Sequence, residues 1–361
     1  MRKKVNLLAL SPEQLAVLLS GLGHPAYRAG QIFVWLYQKG ARSFAEMTNL
    51  PKLLRQQLSE FAEIGFLQPL KRQVSRDGTE KYLFALADGQ TVETVVLPYN
   101  IGYSACISTQ VGCKMGCIFC ASGLPGFSRN LSAAEILAQV LQVKGEMSAQ
   151  GKELKSLVLM GSGEPLDNFT AIVDFLEAVR DPERLGMSLR HLTISTCGLV
   201  PKIRELAALK LPLTLAVSLH APNNNLRDKI MPINRKYRLE ELLAACDEYT
   251  KLTGRRITYE YTLIEGLNDG VKEARELAAL LKKRICHLNL IPFNALPQQG
   301  LSPSPQPVLH AFAAILRGGG VKVTLRRRLG TDIDAACGQL SNKMSGDCEH
   351  AKGESNESCG N

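Results

Sequence analysis

The chain has 361 residues, 45% of them hydrophobic and 21% charged, and its formal net charge is +9. This composition excludes a disordered protein and is sufficient for one large domain with a smaller one. No run of about 18 apolar residues occurs and no signal-peptide pattern follows Met1, so we expect a cytoplasmic protein without a membrane span. The positive charge favours a polyanionic partner, but a basic enzyme without such a partner fits the charge equally well.

Residues 1–98 predict a small accessory domain of the α+β class. Three short helices are predicted, one starting at Ser11-Pro12 and two covering residues 26–38 and 51–61. Between residues 70 and 98 the hydrophobic pattern changes to a period of two, which is typical of strands. Asp77-Gly78 and Asp88-Gly89 are turn sequences, so this stretch predicts a β-meander.

Residues 99–340 predict an α/β core in which strands and helices alternate. The predicted strands cover residues 103–109, 156–160, 191–196, 213–219, 256–264, 287–293 and 321–326. The predicted helices cover residues 132–147, 169–180, 201–209, 239–253, 271–283 and 305–317. Each strand–helix–strand step is a right-handed crossover, so the strands should be parallel and curve into a partial (β/α)6 barrel. Residues 341–361 predict a disordered tail, in which Cys348 and Cys359 are incidental thiols.

Three closely spaced cysteines follow the first barrel strand, in the order Cys113-Lys-Met-Gly-Cys117-Ile-Phe-Cys120. Three soft thiolates from one loop are typical of an iron–sulfur cluster whose fourth iron stays open to a small molecule. Structural zinc usually takes its fourth ligand from a second Cys or His pair at a characteristic spacing, and no such pair stands nearby. The remaining alternative is thiols that only pack, which is common for a single cysteine and rare for three in one short loop.

Polar residues follow several of the other predicted strands. They are Gly163-Glu164, Ser195, Ser218-Leu219-His220 and Asn294. Active sites of parallel barrels lie at the carboxyl ends of the strands, where such groups suit recognition of an ammonium, a ribose or a carboxylate. Taken singly, each residue is more often an ordinary turn or strand-end cap.

The last predicted strand continues into Arg326-Arg327-Arg328, and Cys337 follows between Ala336 and Gly338. One interpretation is a solvated basic run followed by a buried thiol. The other is that the arginines bind phosphates and that the small neighbours leave Cys337 free to enter the site.

Together these motifs resemble one family. The matching segments are Val92-Glu93-Thr94, Cys106 to Cys113, the cysteine loop, Gly163-Glu164-Pro165-Leu166, Ser218 to Asn223, Met231-Pro232-Ile233-Asn234 and Asp332 to Leu340. They resemble the radical S-adenosylmethionine (SAM) RNA adenine methyltransferases of the RlmN/Cfr type. Gly-Glu-Pro-Leu and His-Ala-Pro-Asn are closer to the RlmN branch, which methylates C2 of adenine, than to the Cfr branch, which methylates C8. One departure is Ser162, where the family usually has a larger Met.

The resemblance implies cofactors, partners and their ligands. A [4Fe–4S] cluster would be held by Cys113, Cys117 and Cys120. SAM would contact Gly163, Glu164, Ser195, Ser218, Leu219, His220 and Asn294. The implied substrates are 23S rRNA and tRNA, and the implied electron donor is flavodoxin or a similar reductant. We expect the protein to be a monomer.

The resemblance also implies a mechanism. Cys337 would accept a methyl group from one SAM, and a 5′-deoxyadenosyl radical from a second SAM would abstract hydrogen from that methyl. The resulting carbon radical would add to adenine C2. Cys106 would then release the product by forming a transient disulfide with Cys337, while Glu93 removes the C2 proton. Without the resemblance, Glu93 fits better as a solvated residue on an edge strand.

Two other functions remain open at this point. One is methylation of adenine C8 by the same cysteines, and the other is a non-catalytic iron–sulfur protein that binds RNA. The remaining cysteines of the core are interpreted as packing thiols, namely Cys197, Cys246 and Cys286.

Overall fold

The computed structural model describes residues 4–295 and 300–340. Its N-terminal part contains the strands β1 (Val5–Asn6) and β2 (Ala62–Glu63) and the helices α1 (Pro12–Gly21), α2 (Arg28–Phe33) and α3 (Lys52–Phe61). The predicted start of α1 is confirmed, because the Ser11 hydroxyl accepts from the Gln14 amide and the Gln14 side chain accepts from the Ser11 amide. The predicted helix 26–38 is instead α2 followed by a π-helical segment, Val34–Gln38.

The predicted meander is confirmed as three antiparallel strands. They are β3 (Gln68–Val74), β4 (Glu80–Ala85) and β5 (Thr91–Tyr99). Gly78 and Gly89 occupy the two turns with φ of +84° and +82°, a conformation that a side chain would strain. The two Asp-Gly sequences therefore determine the positions of the two turns, because each supplies a glycine where φ is positive.

The predicted parallel strands are also confirmed, with small differences at their ends. They are β6 (Gly102–Cys106), β9 (Leu154–Leu159), β10 (Leu192–Thr196), β11 (Thr214–Ser218), β12 (Ile257–Leu263), β13 (Cys286–Pro292) and β14 (Val323–Leu325). Between β6 and β9 a separate hairpin, β7 (Gln110–Gly112) and β8 (Phe127–Asn130), encloses the cysteine loop. Nothing in the hydrophobic pattern had predicted this hairpin.

All strands from β3 to β6 and from β9 to β14 belong to one sheet in the described residues. Its order is β14-β13-β12-β11-β10-β9-β6-β5-β4-β3, parallel from β14 to β6 and antiparallel beyond. The barrel is thus partial, because β14 lies at an open edge while β6 continues into the meander. The division of the chain at residue 98 stays a prediction, and the predicted tail lies outside the described residues.

Helices cover the outer face of the barrel. They are α4 (Ala133–Ala149), α5 (Phe169–Arg180), α6 (Val200–Ala208), α7 (Asn224–Ile230), α8 (Leu239–Thr253), α9 (Val271–Leu281) and α10 (Gln306–Gly318). All six predicted helices are confirmed, and α7 is an addition that was too short to predict. Their apolar faces and the outward-facing side chains of the strands form one continuous core. Within the described part of the chain, none of the helices has the length and apolar character to cross a membrane.

Candidate active site

The cysteine loop opens into a cavity of about 930 Å³ at the carboxyl ends of the parallel strands, and Cys113, Cys117 and Cys120 line it. Burial raises the pKa of each thiol, that of Cys113 to about 12, so the thiolate forms need a cation such as iron. No group of three Cys, His, Asp or Glu in residues 4–295 and 300–340 is placed to hold a single metal ion. A cluster, in which each thiolate binds a different iron atom, fits this donor set.

Gly163 and Glu164 lie against the start of the cysteine hairpin. Gly163 has φ of +104°, and a Cβ atom there would lie 2.5 Å from the Cβ of Gln110. The Gln110 side chain accepts a hydrogen bond from the Glu164 amide at 2.8 Å. The buried Glu164 carboxylate accepts from the amides of Leu166 at 3.1 Å and Cys197 at 2.7 Å, and burial raises its pKa. Because this carboxylate lines the cavity, it can also accept a hydrogen bond from a ligand ammonium group.

Six of the seven residues that the resemblance assigns to SAM line this cavity. They are Gly163, Glu164, Ser195, Ser218, His220 and Asn294. His220 Nδ1 accepts from the Thr262 amide at 2.9 Å, and burial lowers its pKa to about 3, so the ring is neutral with its proton on Nε2. The Phe119 ring lies 4.4 Å from the His220 ring between centroids. Leu219 is buried and not among the lining residues.

Arg227 of α7 fixes the loops that end β10 and β11. It is fully buried, and its guanidinium donates to the carbonyls of Cys197 at 2.7 Å, Ser218 at 3.0 Å and Leu219 at 3.2 Å. The same group donates to the Asn234 side chain at 3.0 Å. One side chain therefore holds the backbone of two loops that carry predicted SAM contacts.

The segment that carries Cys337 is attached to the cysteine loop by hydrogen bonds. The Ala121 amide donates to the Gly338 carbonyl at 2.7 Å, and the Ser122 hydroxyl donates to the Leu340 carbonyl at 2.9 Å. Gly338 has φ of +84°, and a Cβ atom there would lie 3.0 Å from the backbone of the loop. The small residue after Cys337 is thus required for this close approach.

The turn between β3 and β4 holds the other end of the same segment. Asp77 accepts from the Gly330 amide at 2.7 Å, and Asp332 accepts from the Ser75 hydroxyl at 2.6 Å. These bonds connect residues more than 250 positions apart in the chain. The meander therefore helps to position Cys337.

Cys106 and Cys337 line a second cavity of about 590 Å³, and Cys337 also lines the first. Burial, and after it the Cys337 thiol, raises the pKa of Cys106 to about 12. Cys337 is exposed toward the cavities. Partial removal of its thiol from water by the surrounding protein raises its pKa, and the positive charge of the nearby Arg326 guanidinium opposes that shift. The two thiols thus line one cavity.

Arg326 differs from the two arginines that follow it. It lines both cavities and donates to the Tyr99 hydroxyl at 3.1 Å, whereas Arg327 and Arg328 are exposed. Of the three arginines, Arg326 therefore belongs to the interior of the site, and Arg327 and Arg328 belong to its surface.

Glu93 is not on an edge strand, because β5 lies between β4 and β6, and its side chain is buried. Lys81 Nζ lies 3.3 Å from the Glu93 carboxylate and donates to the Asp334 carbonyl at 3.2 Å. Among the described residues, Glu93 does not line either cavity. Val95 lies two residues further along the same face of β5 and lines the second cavity.

Sequence reasoning missed Gln110, Arg227 and Glu260, a buried carboxylate that also lines the first cavity. Gln110 and Arg227 act on backbone groups, so only the three-dimensional contacts reveal them. Cys197 packs beside the cysteine loop and lines the first cavity, while Cys246 lies in the core. Cys286 is half-buried.

Two family models match the chain, the radical SAM superfamily over residues 107–278 and the ribosomal RNA large subunit methyltransferase N-terminal domain over residues 5–64. A probable dual-specificity RNA methyltransferase RlmN of Pelotomaculum thermopropionicum is 51% identical over 343 residues, which cover 94% of this chain and 92% of the relative. The Bacillus licheniformis protein of the same name is 48% identical over 94% of each chain. A radical SAM methyltransferase from Sphaerobacter thermophilus matches with a TM-score of 0.92 and 42% identity, covering 94% of this chain and 100% of the other.

These matches confirm the predicted resemblance and the predicted fold class. Radical SAM proteins use a [4Fe–4S] cluster and SAM, so these are the cofactors of this enzyme. The chain belongs to the RlmN family of radical SAM RNA methyltransferases.

Proposed function

We propose that this enzyme methylates C2 of adenosine in 23S rRNA and in tRNA. The relatives named above are dual-specificity RNA methyltransferases. The observation that carries the proposal is a pair of thiols outside the cysteine loop, Cys106 and Cys337, which share a cavity beside that loop. A protein that used its cluster only structurally would not need them.

The chemistry of the target explains why thiols are needed. Adenine C2 is an electron-poor aromatic carbon without an acidic proton. Polar methyl transfer needs a nucleophilic acceptor, so it cannot methylate this carbon. The cluster and SAM supply the methyl group and the radical chemistry when bound. We assign the cluster to Cys113, Cys117 and Cys120, and SAM to Gly163, Glu164, Ser195, Ser218, Leu219, His220 and Asn294.

Cys337 accepts the methyl group and presents it to the base. Its exposure toward both cavities suits a side chain that meets SAM on one side and RNA on the other. The Arg326 guanidinium favours its thiolate form, which is the nucleophile in methyl transfer. The Asn294 side chain donates to the Cys337 carbonyl at 3.2 Å and helps to orient this residue.

Cys106 releases the methylated base. Its thiolate attacks the Cys337 sulfur, a sulfur–sulfur bond forms, and the bond from that sulfur to the methylene carbon breaks. The methylene carbon keeps the electron pair of that bond and takes up a proton to become the methyl group, while the unpaired electron of the adduct would pass to an acceptor such as the cluster. We assign removal of the C2 proton to Glu93, whose carboxylate is held by Lys81 at 3.3 Å. A reductant then restores both thiols.

The exposed arginines and the net charge of +9 suit a polyanionic substrate. Arg327 and Arg328 would contact phosphates at the entrance of the second cavity, where Tyr99 is 44% exposed. We further propose that the enzyme is a cytoplasmic monomer that receives electrons from flavodoxin or a similar reductant.

Nucleoside analysis tests the proposed product. Cluster-loaded enzyme is incubated with reductant, SAM and either 23S rRNA or tRNA, and the digested RNA is compared by liquid chromatography with 2-methyladenosine and 8-methyladenosine. The two standards have equal mass, so retention time decides between them. We expect 2-methyladenosine from both RNAs. 8-Methyladenosine would assign the C8 activity instead, and product from only one RNA would refute dual specificity.

A further inference from the structure

Glu260 is a buried carboxylate in the SAM cavity that the mechanism above does not use. It lies in the middle of β12, is 4% exposed and lines the cavity. One carboxylate oxygen, Oε1, accepts a hydrogen bond from Asn289 at 2.9 Å. The other, Oε2, is buried and has no hydrogen-bond partner.

An unfilled acceptor on a buried carboxylate is unfavourable, and proteins keep few of them. Burial raises the pKa of Glu260 to about 7, and Arg326 is the cation that opposes this shift. A bound ligand that donates a hydrogen bond to Oε2 would account for this buried acceptor.

The position of Glu260 indicates which part of the ligand comes near it. It pairs with Ser218 of β11 and with Asn289 of β13, so the inward-facing side chains form a polar row across the barrel. Its titratable neighbours are the Arg326 guanidinium and the Cys337 thiol. The Glu164 carboxylate is instead hydrogen-bonded to the Leu166 and Cys197 amides beyond β9 and β10. The two carboxylates thus lie at different parts of the cavity.

In radical SAM enzymes the amino acid end of SAM binds the cluster, which places that end beside Glu164. The nucleoside end then extends toward the row that contains Ser218 and Glu260. The ribose offers two neutral hydroxyl donors, and a hydroxyl hydrogen bond to a carboxylate is strong because the acceptor is charged.

We propose that Oε2 of Glu260 accepts a hydrogen bond from a ribose hydroxyl of SAM and thereby positions the nucleoside beneath Cys337. This binding role concerns SAM alone and is independent of which adenine carbon the enzyme methylates.

Binding of S-adenosylhomocysteine, which has no methyl group to transfer, tests the proposal by calorimetry on cluster-loaded protein without reductant. Glu260→Gln keeps the size of the side chain and the bond to Asn289 but replaces the free acceptor with a donor. We expect its affinity to fall about 10- to 100-fold, as for loss of a hydrogen bond to a charged group. Glu265→Gln, an exposed residue of the same segment, is the matched control and should bind as the wild type does.

A second arm changes the ligand instead of the protein, so it holds even if Glu260→Gln folds poorly. Either the 2′-deoxy or the 3′-deoxy analogue should bind the wild type about 10- to 100-fold more weakly, with little further loss in Glu260→Gln. If the wild type bound both deoxy analogues as tightly as S-adenosylhomocysteine itself, the proposal would be overturned. So would a Glu260→Gln protein that binds S-adenosylhomocysteine normally but has lost affinity for RNA, because Glu260 would then contact the substrate adenosine.

Discussion

Replacement of Arg227 by Met tests how the loops of the SAM site are held in place. The substitution keeps the length of the side chain and removes donors from three buried carbonyls and one side-chain amide. The Leu219 carbonyl keeps a donor, the Ala221 amide at 2.8 Å. Each of the other buried acceptors that is left without a donor costs about 1–3 kcal/mol. Burial lowers the pKa of Arg227, which means that burying its charge is itself unfavourable. Removing that charge therefore offsets part of the stability lost with the hydrogen bonds. We therefore expect a loss of about 4 kcal/mol of unfolding free energy.

The assay is chemical unfolding followed by circular dichroism, together with calorimetric binding of S-adenosylhomocysteine. Arg238→Met is the matched control, because Arg238 is exposed and pairs with Asp228 at 2.9 Å on the surface. Its loss should cost less than about 1 kcal/mol. We expect Arg227→Met to weaken ligand binding by at least about tenfold, and Arg238→Met to leave it unchanged. Equal stability of the two variants would show that the buried guanidinium does not hold these loops.

Cys117, the exposed arginines and Glu260 each give a further testable outcome. Cys117→Ala should lose the iron–sulfur absorbance and SAM cleavage together, while Cys286→Ala keeps both; a full cluster in Cys117→Ala would contradict the ligand assignment. Neutralising Arg327 and Arg328 should weaken RNA binding and flatten its dependence on salt, without changing the affinity for S-adenosylhomocysteine; an unchanged salt slope would show that neither residue contacts phosphate. The carboxyl of Glu260, with its pKa raised from 4.5 to about 7, destabilises the SAM-free fold increasingly as pH rises between these values. Glu260→Gln should thus gain stability over the wild type from about pH 5 to about pH 8, reaching about 3 kcal/mol, and a constant difference would contradict the shift.

The fold could be predicted from local signals in the sequence. The period of two between residues 70 and 98 and the Asp-Gly turns defined the meander. The alternation of strands and amphipathic helices defined the parallel barrel, because each of these elements buries one apolar face. The short helix α7 and the hairpin around the cysteine loop carry too little periodicity to be seen in this way.

The candidate site was predictable only where chemistry depends on residue type. Three closely spaced thiols without a second Cys or His pair nearby indicate a cluster. Gln110 and Arg227 instead act through backbone groups supplied by distant parts of the chain, so no spacing reveals them. The same is true of Asp77 and Asp332, which hold the Cys337 segment only because the meander folds against it.

In the proposed reaction Cys337 carries the methyl group and Cys106 releases the product. Denaturing electrophoresis with labelled RNA tests it directly, after reaction of each alanine variant with SAM and reductant. Cys106→Ala should accumulate a covalent protein–RNA species, because its Cys337 is methylated and reacts but is not released. Cys337→Ala should form none, and Cys286→Ala should turn over as the wild type does. A covalent species from Cys337→Ala, or normal turnover by Cys106→Ala, would contradict the assignment of the two thiols.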